Sequence, residues 1–200
     1  MIKKMDEASQ STRERILEAA FEALRTEGYA GATSRAIARI GGFNQALIFY
    51  HFGTLDRLLL AALDASSAAR LERYRAALAA AESPAELLAV AGDIYREDRE
   101  GGHTTVVAQL VAGSLAKPEL APEIVERMEP WIAFCEEAVE KLLAGSPLAA
   151  LAPRRELAYA IVTFYLGANL VTHLDPDGGR TAELFARVGE LGMFVPWNTP

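Results

Sequence analysis

Apolar residues recur three and four positions apart through almost all of this 200-residue chain, and no Val/Ile/Thr-rich alternation bounded by hairpin turns interrupts them. That period restricts the fold to helices packed on helices, so an all-α class follows. Start and stop signals divide the pattern. Ser11-Thr12-Arg13-Glu14 reads as a capping box, Ile16, Leu17, Ala20, Phe21 and Leu24 form one stripe, and Gly28 is placed to close the helix. Residues 1–10 then read as a flexible arm. Thr33 can cap a short second helix reaching about Ile40, and after a turn at Gly41-Gly42 a third runs from about Asn44 to Phe52. A long helix from Thr54 to about Ala81 could bridge two domains. Ser83-Pro84-Ala85-Glu86 is a second capping box with proline at the first helical position. Further helices are expected over 84–100, 103–116, 122–144, 154–174 and 180–194. Gly101-Gly102, Lys117-Pro118, Gly145-Ser146-Pro147 and Asp175-Pro176-Asp177-Gly178-Gly179 separate them.

Composition narrows the function. A chain that is 51% hydrophobic can bury a real core, which excludes a disordered protein. Cys135 is the only cysteine, so an intrachain disulfide is impossible and a zinc site would need His51, His103, His173 and carboxylates at scattered spacings. No metal and no cofactor are expected. MIKKMDEASQ has two lysines with no apolar stretch behind them, so no secretory or transit signal is readable and a cytoplasmic location is expected. The net charge of −7 argues against a nucleic-acid partner until its distribution is considered. Residues 1–75 hold eleven Lys/Arg against nine Asp/Glu, whereas residues 76–200 hold nine against eighteen. The acidity lies in the C-terminal part.

Leu157–Leu174 is uncharged over 18 residues, at the lower limit for a membrane span. Thr163, Asn169, Thr172 and His173 lie within it, and Arg154-Arg155 faces acidic Asp175 and Asp177 rather than a second neutral flank, so no membrane is expected. A helix apolar all round is otherwise buried on both sides, and in a chain this short the second side points to another subunit. Leu184, Val188 and Leu191 stripe the last helix, while Gly167, Ala168, Gly189 and Gly192 permit close approach. A homodimer through about 154–174 and 180–194 is therefore expected, against the alternative of a monomer core.

The stretch Thr33–Phe52 is two short helices around a glycine turn, the grammar of a helix-turn-helix. Ile37, Ala38, Phe43, Ile48 and Phe52 can pack inward. Gln45, Ala46 and Leu47 then occupy the first turn of the third helix, where a recognition helix presents side chains to base edges. A glutamine there can pair bidentately with adenine, and Ala46 or Leu47 can touch a thymine methyl.

Residues 11 to about 63 resemble the DNA-binding domain of the tetracycline-repressor (TetR) family of bacterial regulators. The resemblance rests on Thr33, Ile37-Ala38, Gly41-Gly42, Phe43-Asn44, Gln45-Ala46-Leu47, Ile48-Phe49, Tyr50-His51, Phe52, Thr54-Leu55 and Asp56, preceded by Phe21…Leu24…Glu27-Gly28-Tyr29. It implies a three-helix DNA-binding domain at 11–63 and a C-terminal helical bundle at 64–200 for ligand binding and dimerisation. The implied partners are double-stranded operator DNA and a small-molecule effector, with repression of a palindromic operator as the expected action. The DNA-facing set is Thr33, Ser34, Arg35, Asn44, Gln45, Ala46, Leu47, Phe49, Tyr50 and His51. Tyr50 is favoured as a contact because an inward Tyr would need its hydroxyl satisfied. His51 is either a contact or a packed neutral residue closing the helix. Phe49 and Leu55 depart from the family's usual Tyr and Lys, which hold backbone phosphates. A shallower salt dependence of DNA binding is therefore expected.

Beyond residue 63 the resemblance is architectural. Tyr95, His103, Trp131, Phe134, Cys135, Tyr165 and Asn169 are the aromatic and lone polar candidates for an effector pocket, and such a lining suits a hydrophobic or aromatic molecule. Each can equally be core, and Cys135 reads as a small buried hydrophobe rather than a redox sensor. An enzyme is not expected. Glu100-Gly-Gly-His103 has the Glu-x-x-His spacing of a di-iron ligand pair, but such sites need two pairs inside helices and this one is interrupted by glycines. No Walker loop, dinucleotide fingerprint or nucleophile elbow is present.

Overall fold

A computed structural model of the chain describes residues 2–144, 147–172, 174–175, 179–181, 183–184 and 187. Among them the chain runs α1 (Ile2–Gly31), α2 (Ser34–Gly41), α3 (Ala46–Phe52), α4 (Leu55–Ala80), α5 (Pro84–Gly101), α6 (His103–Ala116), α7 (Ala121–Leu143) and α8 (Arg154–Thr172). Short 3-10 turns at Pro118–Leu120 and Pro147–Ala150 precede α7 and α8. The all-α reading holds, and no strand interrupts the described residues. Two compact units result. The first takes residues up to Ala68 together with Thr105–Val125, and the second takes Ala69–Thr104 with the residues from Glu126 on.

In the first unit Ile16, Leu24, Ile37, Ile48, Leu58, Leu59, Val106 and Leu110 are fully buried, and α1 packs on α2. Each such side chain contributes roughly 1.5–3 kcal/mol relative to exposure, which fixes the inward faces of five helices. Thr33 caps α2, its hydroxyl oxygen accepting the Ala36 amide at 3.2 Å. Gly42 ends that helix in the left-handed region (φ 64), returning its N–H to the Ala38 carbonyl, a conformation costly for any residue with a Cβ. The Phe43 ring lies over Gly41, where a Cβ would come within 2.2 Å of it.

Two boundaries differ from expectation. The first helix begins at Ile2, so Ser11 lies inside it and is not its cap; residues 2–10 contain no Gly or Pro and include the helix formers Lys3, Lys4, Met5, Glu7, Ala8 and Gln10. The same helix is broken at Gly28, whose φ of 71 and ψ of 177 lie outside helical space, before a last turn to Gly31. The third helix begins at Ala46 rather than Asn44. Asn44 Oδ1 accepts the Ala46 amide at 2.9 Å, an Asx turn that competes with helical geometry at that residue.

The DNA-binding domain expected at 11–63 is thus completed by a segment eighty residues away. Gln109 Oε1 accepts the Tyr29 amide at 3.0 Å, immediately after the break at Gly28. The Tyr29 ring lies flat on Gly113, where a Cβ would fall 2.5 Å from Cγ. Lys117 pairs with Asp56 in the first turn of α4. One short stretch, Gln109–Lys117, therefore grips the chain just before α2 and just after α3.

In the second unit Ser83 accepts the Glu86 amide at 3.2 Å, and Glu86 reaches back to the Glu82 amide at 2.6 Å. That is the reciprocal cap expected of this motif, displaced by one residue on the return leg. The last carbonyls of α4 have no basic residue in their own turn, and Lys141 Nζ supplies the charge by donating to Leu78 and Ala79 at 2.7 and 2.8 Å. Leu71, Tyr74, Leu78 and Phe134 form one core cluster, with Leu87, Val90, Ile94 and Trp131 against it. Ile132, Ala158 and Val162 form another, and Cys135 touches both.

α8 buries Ala158, Val162 and Asn169, whereas Leu157, Ile161, Phe164 and Val171, spaced as a second helical stripe, are exposed. The apolar segment is buried on one side only within the chain. No single described helix is long and apolar enough to cross a membrane. Most of the expected helix at 180–194 lies outside the described residues.

The Tyr29–Gly113 contact gives the first prediction. Gly113→Ala lowers stability by about 1–2 kcal/mol, because the overpacking exceeds the roughly 1 kcal/mol gained in helix propensity. Tyr29→Ala relieves the clash, so urea unfolding of both single variants and the double variant must be non-additive. Additive losses would mean the ring and the glycine do not meet.

Candidate nucleic-acid interface

The outward face of the helix-turn-helix follows from what its inner face buries. Ile48 and Phe52 of α3 are buried four residues apart, which turns Gln45, Ala46, Phe49 and Tyr50 to the surface. Tyr50 is 81% exposed, its ring edge-on to His51 at 5.0 Å between centroids. Gln45 stands at the N-terminus of α3 without a side-chain capping bond. Thr33 and Arg35 are exposed at the start of α2, with Ser34 half-buried between them. The structure brings these residues to one helix-turn-helix surface.

Three members of the expected set sit differently from a plain contact. Leu47 is half-buried, which limits its reach to a base. His51 is also half-buried, packed between the rings of Tyr50 and Phe52. Asn44 commits its side-chain oxygen to the Ala46 amide. Its amide nitrogen stays unused in that turn. The absent cation at Leu55 is not replaced by its neighbours in sequence, since Thr54 accepts the Arg57 amide as the cap of α4 and Asp56 is paired with Lys117. Two basic side chains of α1 come close instead. Arg13 places its guanidinium 5.1 Å from the Phe52 ring centroid and Arg15 lies 5.9 Å from that of Phe43, both exposed beside the reading helices. Sequence reading assigned them to scaffold because they precede the motif by twenty residues or more.

The bundle candidates of the second unit fall into one connected group. The His103 ring lies 5.6 Å from Trp131, which meets Phe134 edge-on at 6.4 Å and Tyr74 at 6.3 Å. The Tyr165 hydroxyl donates to Asp98 Oδ2 at 2.6 Å, and Asn169 Nδ2 donates to the Tyr165 carbonyl at 2.9 Å. Cys135 packs beside Phe134 in the core, and burial pushes its thiol up to about 11, which suits a hydrophobe rather than a thiolate. Tyr95 is half-buried on α5, three residues before Asp98.

Sequence reading missed the charged centre of this group. Asp98 is 5% exposed and pairs with Arg70 of α4. It lies within the run Arg96-Glu97-Asp98-Arg99-Glu100, where a charge run ordinarily marks a solvated face. Beside it, Glu97 accepts from both Arg73 and the Tyr74 hydroxyl. Burial, with Arg70 nearby, lowers His103 to about 4, so the imidazole is neutral at neutral pH. Gly102, at φ 74, ends α5 before His103 begins α6. Glu100 and His103 therefore do not share a helix, and the di-iron spacing is broken where it would have to be continuous.

Comparison with known proteins agrees with this geometry. Residues 16–62 match the family described as bacterial regulatory proteins, tetR family. A TetR-family transcriptional regulator from Cytophaga hutchinsonii superposes with a TM-score of 0.76 at 16% identity, covering 96% of this chain and 98% of that one. FadR from Bacillus subtilis, solved with stearoyl-CoA, does so at 0.69 and 17%, covering 92% and 98%. The multidrug-binding protein EbrR, solved with proflavin, gives 0.55 at 27%, covering 88% and 98%. No curated protein matches the chain.

The state of His103 predicts a pH dependence. Below its ordinary 6.5 the unfolded chain takes up a proton that the fold refuses until about 4. The fold therefore loses stability as pH falls from about 6.5 to about 4, by about 3 kcal/mol at most, and keeps the contribution in full above that window. His103→Gln has no proton to take up. The difference between its denaturation midpoints and the wild type's must shrink as pH falls; parallel curves would show that His103 titrates alike in both states.

Proposed function

Since this chain is a DNA-binding transcriptional regulator of the tetR family, with residues 16–62 as its family domain, we propose that it acts as a homodimeric repressor, released from a palindromic operator by a small apolar or aromatic effector. The observation that carries the DNA-reading part is the exposure of Gln45 and Tyr50 on α3 while Ile48 and Phe52 of the same helix are buried. An exposed aromatic beside Phe49 is poorly explained by solvent and well explained by a groove wall and sugar-phosphate edge. Gln45 supplies base readout, and Thr33, Arg35 and Tyr50 supply the phosphate contacts that set register.

Dimerisation is supported by the exposed stripe Leu157, Ile161, Phe164 and Val171 on α8. Two such faces against one another form an isologous contact, and the segment 180–194 is proposed to extend it. A two-fold dimer places its recognition helices about one duplex turn apart, roughly 34–36 Å, on half-sites of a palindrome. The effector is supported by the aromatic group around His103, Trp131 and Phe134.

Selection of bound sequences from randomised DNA tests the whole reading, and a palindrome is expected. Gln45→Ala relaxes selectivity at one position per half-site by about 1–3 kcal/mol. Tyr50→Ala weakens binding to all sequences alike. Unchanged retention in both variants rejects this reading face. Phe164→Glu with Ile161→Glu yields monomers of unchanged helicity in analytical ultracentrifugation, with operator affinity reduced at least a hundredfold, on the order of 3 kcal/mol. A persistent dimer removes α8 from the interface.

A further inference from the structure

The polar centre of the second unit closes on itself. The Arg70 guanidinium lies 5.9 Å from the Tyr74 ring, Tyr74 meets Trp131, Trp131 meets His103, and both Arg70 and Asp98 bear electrostatically on His103. Arg70 is matched by Asp98, and Arg73 is matched by Glu97 one helical turn away. His103, buried in the same ring of residues, carries no charge at neutral pH. The cluster therefore has hydrogen-bonding groups in plenty and no net charge to offer. A buried ion without a partner is unstable by several kcal/mol in such surroundings, for a ligand as much as for a side chain.

We propose that this cluster is the recognition point of the effector site and that it selects an uncharged aromatic molecule bearing a hydrogen-bonding group, such as a phenol, ketone or amide, while rejecting organic cations and carboxylates. The inference rests on the effector reading above and adds the charge class of the ligand. Tyr74, Trp131 and Phe134 supply flat apolar walls, and Asp98, Tyr165 and His103 supply acceptor and donor atoms. A cation would meet Arg70, and a carboxylate would meet Asp98. Rejection is thus built from the same ion pair that holds the helices.

Three probes with fused aromatic ring systems test this on the full chain at neutral pH by isothermal titration: 2-naphthol (uncharged), 2-naphthoate (anion) and proflavin (cation). The wild type binds 2-naphthol at least tenfold more tightly than either charged probe. Asp98→Asn leaves Arg70 unmatched and moves the preference to 2-naphthoate by at least tenfold, and Arg70→Met leaves Asp98 unmatched and moves it to proflavin. Helicity and dimer mass are checked for each variant, and the wild-type comparison stands by itself if a variant fails to fold. Equal or tighter binding of a charged probe to the wild type overturns the proposal, as does an order of probes that neither variant moves, or no binding of any probe. Release of the protein from its selected operator by a metabolite extract separates the two readings. A chain that is released but shows no charge order has an effector and not this site, whereas one that neither responds nor binds loses both.

Discussion

The burial of Ile48 decides which side of α3 can meet DNA. A helix cannot turn Ile48 and Phe52 inward without turning Gln45, Phe49 and Tyr50 outward, since positions one or two apart point to different faces. The inner face is held by a core to which four other helices contribute, including residues of α6 that arrive from the far half of the chain. The left-handed turn at Gly42 and the close seat of Phe43 on Gly41 set the angle between α2 and α3. Phe49 then follows as a consequence rather than a choice of packing. It sits where a Tyr would hold a phosphate, and it offers the same ring without the hydroxyl.

The second unit is organised around the opposite kind of interaction. Leaving Asp98 buried without Arg70 would be unfavourable by about 3–5 kcal/mol, yet an apolar triad of similar volume could hold the same helices as well or better. Stability alone does not account for an ion pair at that place. A matched pair beside a neutral imidazole and three aromatic rings is, however, what a site needs if it is to bind polar molecules and refuse ions.

Most of the first unit was legible because its signals are local. Thr33, Gly41-Gly42 and the Ile37/Ile48/Phe52 spacing act within a few residues, and the caps at Thr33 and Ser83 form with the partners three residues on that their positions imply. The start of α1 was misread because a capping-box sequence binds helix termini only where a terminus exists, and the helix-forming residues before Ser11 leave none there. The Tyr29–Gln109 and Lys117–Asp56 contacts were out of reach for a different reason. They join residues 80 and 61 apart, and no periodicity marks a partner at such a distance. Asp98 was hidden by its neighbours, since in Arg96-Glu97-Asp98 only the register of α5 distinguishes the buried carboxylate from the exposed ones. The aromatic candidates were found as a set because burial groups them. Their charged centre was not.

Arg70 and His103 occupy related places along the chain. Arg70 lies two residues beyond Ala68, where α4 leaves the first unit, and His103 lies two residues before Thr105, where α6 enters it. On the proposed reading, an effector at the polar cluster touches both helices that run without a break into the DNA-binding unit. α4 begins there at Asp56, and α6 carries Gln109 and Gly113, the seats of Tyr29. Two continuous helices are enough for a difference in ligand affinity to become a difference in DNA affinity, provided that the two binding events favour different positions of those helices. The coupling must then be mutual: whatever factor the effector removes from operator affinity, the operator removes from effector affinity. An uncharged ligand makes that factor a matter of shape and hydrogen bonding within the second unit, since it carries no field that could act on the phosphates directly.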